Sequence, residues 1–132
     1  MEELSKILRT MQFYTHIAHN LTSGDTFFSD HAFLGDLYAA YEVHYDDVVE
    51  RMIGLGMPID LPAVHLEAAK AVSTMKTGDA QKFFKEILSM EKSLVVDITD
   101  AIEGNSEGTS QLLGEICNQS EMRQYKLKQR LA

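Results

Sequence analysis

The chain has a single cysteine, Cys117. That excludes an internal disulfide and any cysteine-based zinc motif, and a reducing cytosol is the simplest compartment for it. Proline is nearly as scarce: Pro58 and Pro62 are the only two, and both fall in one short stretch. The long segments on either side are free to be helices. No apolar run reaches the length of a membrane span. The first residues, Met1-Glu2-Glu3-Leu4-Ser5-Lys6, carry acids where a secretory leader needs basic residues, and no apolar stretch follows. A cytoplasmic protein without a membrane partner is therefore expected. There is no internal repeat and no low-complexity tract. Positive charge is in short supply, with 12 Lys and Arg against 20 Asp and Glu, a formal net charge of −8. Generic binding to nucleic acid or another polyanion is disfavoured. An acidic exterior suits solubility and draws cations.

What is present is enough for one domain over residues 1–132, since 45% of the residues are hydrophobic. Leu4, Ile7, Leu8, Met11, Ala18 and Leu21 fall on one stripe and predict a helix from about Glu2 to Leu21. Thr22-Ser23-Gly24-Asp25-Thr26 reads as a turn, with Asp25 or Thr26 as a cap for the next helix. That helix is expected from about Phe27 to Leu55. Its seam of Leu34, Tyr38, Tyr41, Tyr45, Val48, Met52 and Leu55 alternates steps of four and three, as in a long bundle helix. Gly56 is a natural stop. A connection around Pro58 leads to a short helix begun by Pro62 and ending near Val72. A third long helix is expected over Ala80 to Ile102, on Phe83, Phe84, Ile87, Leu88, Leu94, Val95 and Ile98. The turn Gly104–Gly108 precedes a fourth, with Leu112, Leu113, Ile116, Cys117, Leu127 and Leu131 inward. Two tight turns make two antiparallel hairpins, and the long middle connection must cross the bundle. This all-α order resembles the ferritin-like four-helix bundle, with a short helix in its one long crossover.

A di-iron site inside such a bundle draws on Glu-x-x-His pairs. The chain has none, and Glu42-Val43-His44 has the wrong spacing to put both side chains on one face. A different set stands out. His19 and His31 lie twelve residues apart across the first turn, Asp46 follows fifteen later, and Glu50 four after that. Asp46 and Glu50 share a helix face. At about 100° per residue, Glu50 falls roughly opposite the Leu34–Leu55 seam and Asp46 well off it. His19 likewise lies beside its own apolar stripe. Imidazole and carboxylate are the donors suited to non-haem iron, but these do not face their own core. They make a metal site only if another subunit supplies part of it.

The segment from His19 to His31 resembles the first signature of the Dps-like mini-ferritins: a His, a turn Gly, a Phe and a second His, here His19, Gly24, Phe27 and His31. The second signature is similar to Asp46, Glu50-Arg51 and Leu55-Gly56, and a third to Thr109-Ser110-Gln111-Leu112-Leu113. The resemblance implies an iron-storage and oxidative-stress protein. Ferrous iron would be oxidised by peroxide or oxygen at a catalytic site where His19 and His31 of one chain face Asp46 and Glu50 of a two-fold neighbour. Ferric mineral would collect inside a homo-oligomer, a dimer at least and a dodecamer in that family. Two positions and one segment depart from the pattern. Gly35 stands where the family has an acidic ligand, which implies a weakened site or one metal per site. Asp36, next along, is the remaining candidate ligand, turned by about 100°. Asn20 stands where a Trp commonly follows the first His, and the basic N-terminal tail of DNA-binding members is missing. The alternative is a degenerate, non-catalytic oligomer of the same fold with a structural or interaction role.

Bland roles compete for the remaining polar residues. His16 suits a surface or interface position, His44 a packed one at the seam's edge, and Cys117 a small buried hydrophobe. Tyr38, Tyr41 and Tyr45 sit near the expected iron site, but their spacing favours core packing over electron donation. Lys126, Lys128 and Arg130 fit compensation of a helix C-terminus.

Overall fold

A computed structural model describes residues 1–132. Helix α1 (Glu2–Leu21) buries Leu4, Leu8, Met11, Thr15 and Ala18, in steps of four, three, four and three. Glu2 and Glu3 complement the positive end of its dipole. The chain turns at Gly24, whose φ of +107° suits only glycine, and enters α2 (Phe27–Gly54). Thr26 is the N-cap, as the composition suggests, but its hydroxyl caps nothing. It donates instead to Asp30 Oδ2 at 2.6 Å. Helix α2 ends in a Schellman motif: Gly56 N–H donates to Ile53 and Met57 N–H to Met52, with Gly56 at φ +72°.

The crossover carries α3 (Leu61–Ala71), capped by Asp60, whose carboxylate accepts from Ala63 N–H at 3.1 Å. Asp79 caps α4 (Ala80–Ile102) and Ser106 caps α5 (Glu107–Leu131) in the same manner. The sequence does not predict the small parallel pairing of β1 (Thr22–Ser23) with β2 (Gly78–Asp79). It ties the end of α1 to the start of α4, so α2 and α4 run in the same direction. The chain therefore forms two antiparallel hairpins joined by one crossover, as the order of elements predicts. No helix is long and apolar enough to cross a membrane.

The seam of α2 is mostly as expected, with Leu34, Tyr41, Tyr45, Val48 and Met52 buried. Two members depart from it. Leu55 lies past the last helical turn and is half exposed, and Tyr38 turns towards His16 and His19 on α1. Cys117 is half-buried rather than buried. Arg130 does more than compensate a helix end. It clasps the buried Asp30 at the start of α2, with Nε 3.1 Å from Oδ1 and Nη2 3.1 Å from Oδ2. Burial pushes the Asp30 carboxyl up, but the Arg130 and Thr26 hydrogen bonds outweigh it and hold the group below its ordinary value.

The centre of the bundle is polar. Glu91 is fully buried on α4, on the stripe between Ile87 and Leu94. Arg123 of α5 donates from Nε to Glu91 Oε2 at 2.9 Å and from Nη1 to His44 Nε2 at 3.0 Å. Ser120 donates to the Glu91 backbone carbonyl at 3.4 Å. His44 is buried, as its place at the seam's edge suggests. Its basicity is pushed down to about 4 by burial, with the Arg123 charge adding to the effect and Glu115 opposing it.

The sign of the resulting pH dependence follows. An unfolded chain protonates His44 near pH 6.5, the folded one only near pH 4. Its contribution to stability is full above pH 6.5 and is lost as pH falls through that window. At about 1.4 kcal/mol per unit, the loss reaches about 3 kcal/mol. Glu91 is pushed up by burial and contributes a slope of opposite sign. Urea denaturation across this range is expected to show stability falling with acid. His44→Gln, which keeps an acceptor for Arg123, is expected to flatten the curve. An unchanged slope in the variant would assign the titration to another group.

Candidate metal centre

His19 lies in the last turn of α1, where carbonyl oxygens have no helical partner. His31 lies in the second turn of α2. The turn at Gly24 folds the two helices together so that the imidazoles stack, with centroids 3.6 Å apart and planes at 20°. Each ring is also tied to the other's backbone. His19 Nδ1 is 2.6 Å from the His31 carbonyl, and His31 Nδ1 is 2.7 Å from the His19 carbonyl. A carbonyl oxygen only accepts, so each Nδ1 donates. In the neutral rings both Nε2 atoms then keep their lone pairs. A backbone tie on one ring nitrogen that frees the other is how proteins fix a metal-ligating histidine.

Aromatic rings hold this pair from both sides. Phe27 stacks on His31 at 4.8 Å, and Tyr38 meets His19 edge-on at 5.3 Å. His16 lies flat on Tyr38 at 4.1 Å and is exposed. Gly35 has a role beyond lacking a ligand. A Cβ there would come within 3.2 Å of His19 Cε1 and 3.4 Å of Nδ1. The absence of a side chain lets the His19 ring lie against α2 and reach the His31 carbonyl.

Asp46 and Glu50 are exposed, one turn apart on α2. They are several turns from His31, about 22 and 28 Å along the axis. One chain therefore assembles the two histidines and aligns the two acids, but does not bring the pairs together. No group of three or more His, Cys, Asp or Glu side chains converges within the chain. Asp36 is not beside the histidines. It lines a groove between α2 and α5 with Phe33, Leu37, Met122, Arg123 and Lys126. The outer stripe of α2 that carries the acids also carries Glu42, exposed one turn before Asp46, and is otherwise apolar or small. Phe28 is 87% exposed, Val43 58% and Ile53 55%, and Ala32 and Ala39 lie exposed between them.

Residue spacing draws attention to His19 and His31 but gives no hint of their mutual backbone ties. The core group of Glu91, His44 and Arg123 is also missed by motif reading. Its legible signals are the place of His44 at the seam's edge and an acid on the apolar stripe of α4.

Gly35→Ala tests the packing. Alanine in a helix interior gains about 1 kcal/mol over glycine. Displacing the His19 ring costs about 0.5–1.5 kcal/mol. Stability is expected to stay within about 1 kcal/mol of the parent, while nitrogen NMR of the imidazoles shows loss of the protected His19 Nδ1–H. A retained signal would mean that the ring does not need the space.

Residues 2–132 match the family model described as Ferritin-like domain. No curated protein matches the chain.

Proposed function

The chain belongs to the ferritin-like domain family, and on that footing we propose that it is a Dps-like mini-ferritin that oxidises ferrous iron at a site shared between two copies. His19 and His31 of one copy would supply imidazole nitrogens, and Asp46 and Glu50 of the other would supply carboxylates.

The observation that carries this reading is the layout of the outer stripe of α2. Phe28 and Ile53, Gly35 and Asp46, and His31 and Glu50 are each symmetric about a centre between Ala40 and Tyr41. Two α2 helices packed antiparallel about a two-fold axis at that centre would set Glu50 level with His31 of the partner subunit, and Asp46 level with Gly35 of the partner subunit. The exposed Phe28, Val43 and Ile53 would be covered in the same contact. An acid supplied at the level of Gly35 also offsets the donor that Gly35 lacks.

The chemistry follows from the donors. Ferrous iron is the substrate. The two free Nε2 atoms suit it, and the carboxylates favour the more highly charged ferric product, which eases loss of the electron. With peroxide as oxidant, two ferrous ions, one peroxide and two protons give two ferric ions and two waters. Few donors at each site favour one metal per site. The same two-fold contact would be one of those in a closed homo-oligomeric shell, dodecameric in the Dps-like members, in which ferric product is stored. The bundle over residues 1–132 acts as one domain in this reading, and the cytoplasm suits its chemistry. Gly35 also favours a second reading, an oligomer that keeps the fold without the oxidation.

Chain mixing separates these readings. His31→Ala and Glu50→Ala are each expected to abolish iron oxidation above the uncatalysed rate. In a mixed dimer one site carries both defects and the other none. Unfolding and refolding the two variants together at equal amounts should therefore restore about a quarter of wild-type activity. No recovery, with dimers present by mass, would reject the shared site. A wild type that assembles but never exceeds the control would favour the non-catalytic reading.

A further inference from the structure

The ferritin-like fold elsewhere builds its metal sites in the bundle core, from a Glu on each of two helices and a Glu-x-x-His pair on each of the other two. Three of the four long helices of this chain, α2, α4 and α5, keep that layout with different residues. On α2, Tyr41 and His44 are three apart, with tyrosine in the place of the glutamate. On α5, Ser120 and Arg123 are three apart, with serine and arginine in the two places. Helix α4 supplies Glu91. All five residues are buried. They do not fit a metal as they stand. There is one carboxylate where the fold elsewhere uses four, and a cation is already present.

We infer that the guanidinium of Arg123 stands in for the metal in the bundle core, and that its removal, with a second carboxylate added, opens a divalent-cation site on Glu91 and His44.

Two atoms of ligand type converge on this one group. Glu91 Oε2 accepts from Arg123 Nε at 2.9 Å and His44 Nε2 from Nη1 at 3.0 Å. Because arginine can only donate, His44 must present its lone pair inward. The surroundings are left under-satisfied, as a replaced ligand set would be. Glu91 Oε1, Tyr41 OH and Arg123 Nη2 are buried without a well-formed hydrogen bond, the Tyr41 hydroxyl lying close to both Glu91 and Arg123. The charges also match. One guanidinium and one carboxylate sum to zero, as do one divalent cation and two carboxylates. A neutral core is required in either case, since an uncompensated buried charge is strongly unfavourable. This core is separate from the surface histidines, so neither idea depends on the other.

The test replaces one neutral set by the other, with Arg123→His and Tyr41→Glu together. Without metal, the variant is expected to melt well below wild type, because two carboxylates then face each other. Titration with Co²⁺ is expected to show one more bound equivalent per chain than wild type, whatever the surface sites take up. A saturating excess of Co²⁺ is expected to raise the melting temperature by roughly 5–10 °C more than in wild type. Adding Glu91→Gln should remove both gains. A folded variant with no extra equivalent, or one that stays unfolded in excess Co²⁺, would overturn the inference. So would an anomalous-scattering peak between Glu91 and His44 in wild-type crystals grown with Co²⁺, which would mean that the native core already takes a metal.

Discussion

Helix α2 can turn only one face towards its own core, and its 28 residues must serve that face and the opposite one. The helical period enforces the division. Leu34, Tyr41, Tyr45, Val48 and Met52 go inward, with His44 beside them. Phe28, Val43, Asp46, Glu50 and Ile53 go outward. A residue that ligates from the outer face can only complete its coordination with atoms from another molecule. That constraint ties the chemistry proposed for this chain to its assembly. It also explains why apolar side chains sit beside acids on a stripe that a solitary bundle would leave to water.

The inner face carries a different burden. A buried ion pair is weak evidence for stability, because removing both charges from water costs about as much as their attraction returns. The Glu91–Arg123 pair earns its place through position. It joins α4 to α5, and through His44 it joins both to α2. A slip of one helix here would strand a buried charge in addition to breaking the close packing of the apolar core. The Arg130–Asp30 clasp does the same at the end where α5 meets the start of α2. The contact of Arg51 with Thr109, at 3.3 Å, lies at the other end of the same helix pair. Three polar contacts thus set the register between the two hairpins.

The fold was legible because its signals are local and repeated. Apolar steps of three and four run for several turns in each helix, and Gly24, Gly56 and Gly104 all adopt the positive φ of a turn or stop. Helix bounds followed to within a residue or two. The polar contacts were not legible, since each joins residues far apart in the chain. Arg130 reads as a helix-end charge until Asp30, one hundred residues earlier, is seen beside it. Glu91 reads as an interruption of a stripe until Arg123 is placed against it. The candidate site divides in the same way. Spacing drew out His19, His31, Asp46 and Glu50, while the reciprocal ties between the histidines exist only once α1 and α2 are packed.

Gly35 joins these strands. Judged as a ligand position it is a loss, because it offers no donor. Judged as a packing position it is an easement, because a side chain there would press lightly on the His19 ring. The two views describe one exchange. An acid at this position would bring a carboxylate from the chain that supplies the histidines, and the His19 ring would have to shift by a few tenths of an ångström to admit its Cβ. Glycine gives up that carboxylate and keeps two imidazoles with fixed tautomers and free Nε2 atoms. A site made this way has oriented nitrogen donors and little negative charge of its own. In the function proposed above it would depend on a neighbour for the charge that a ferric ion requires, so oxidation and association would become the same problem.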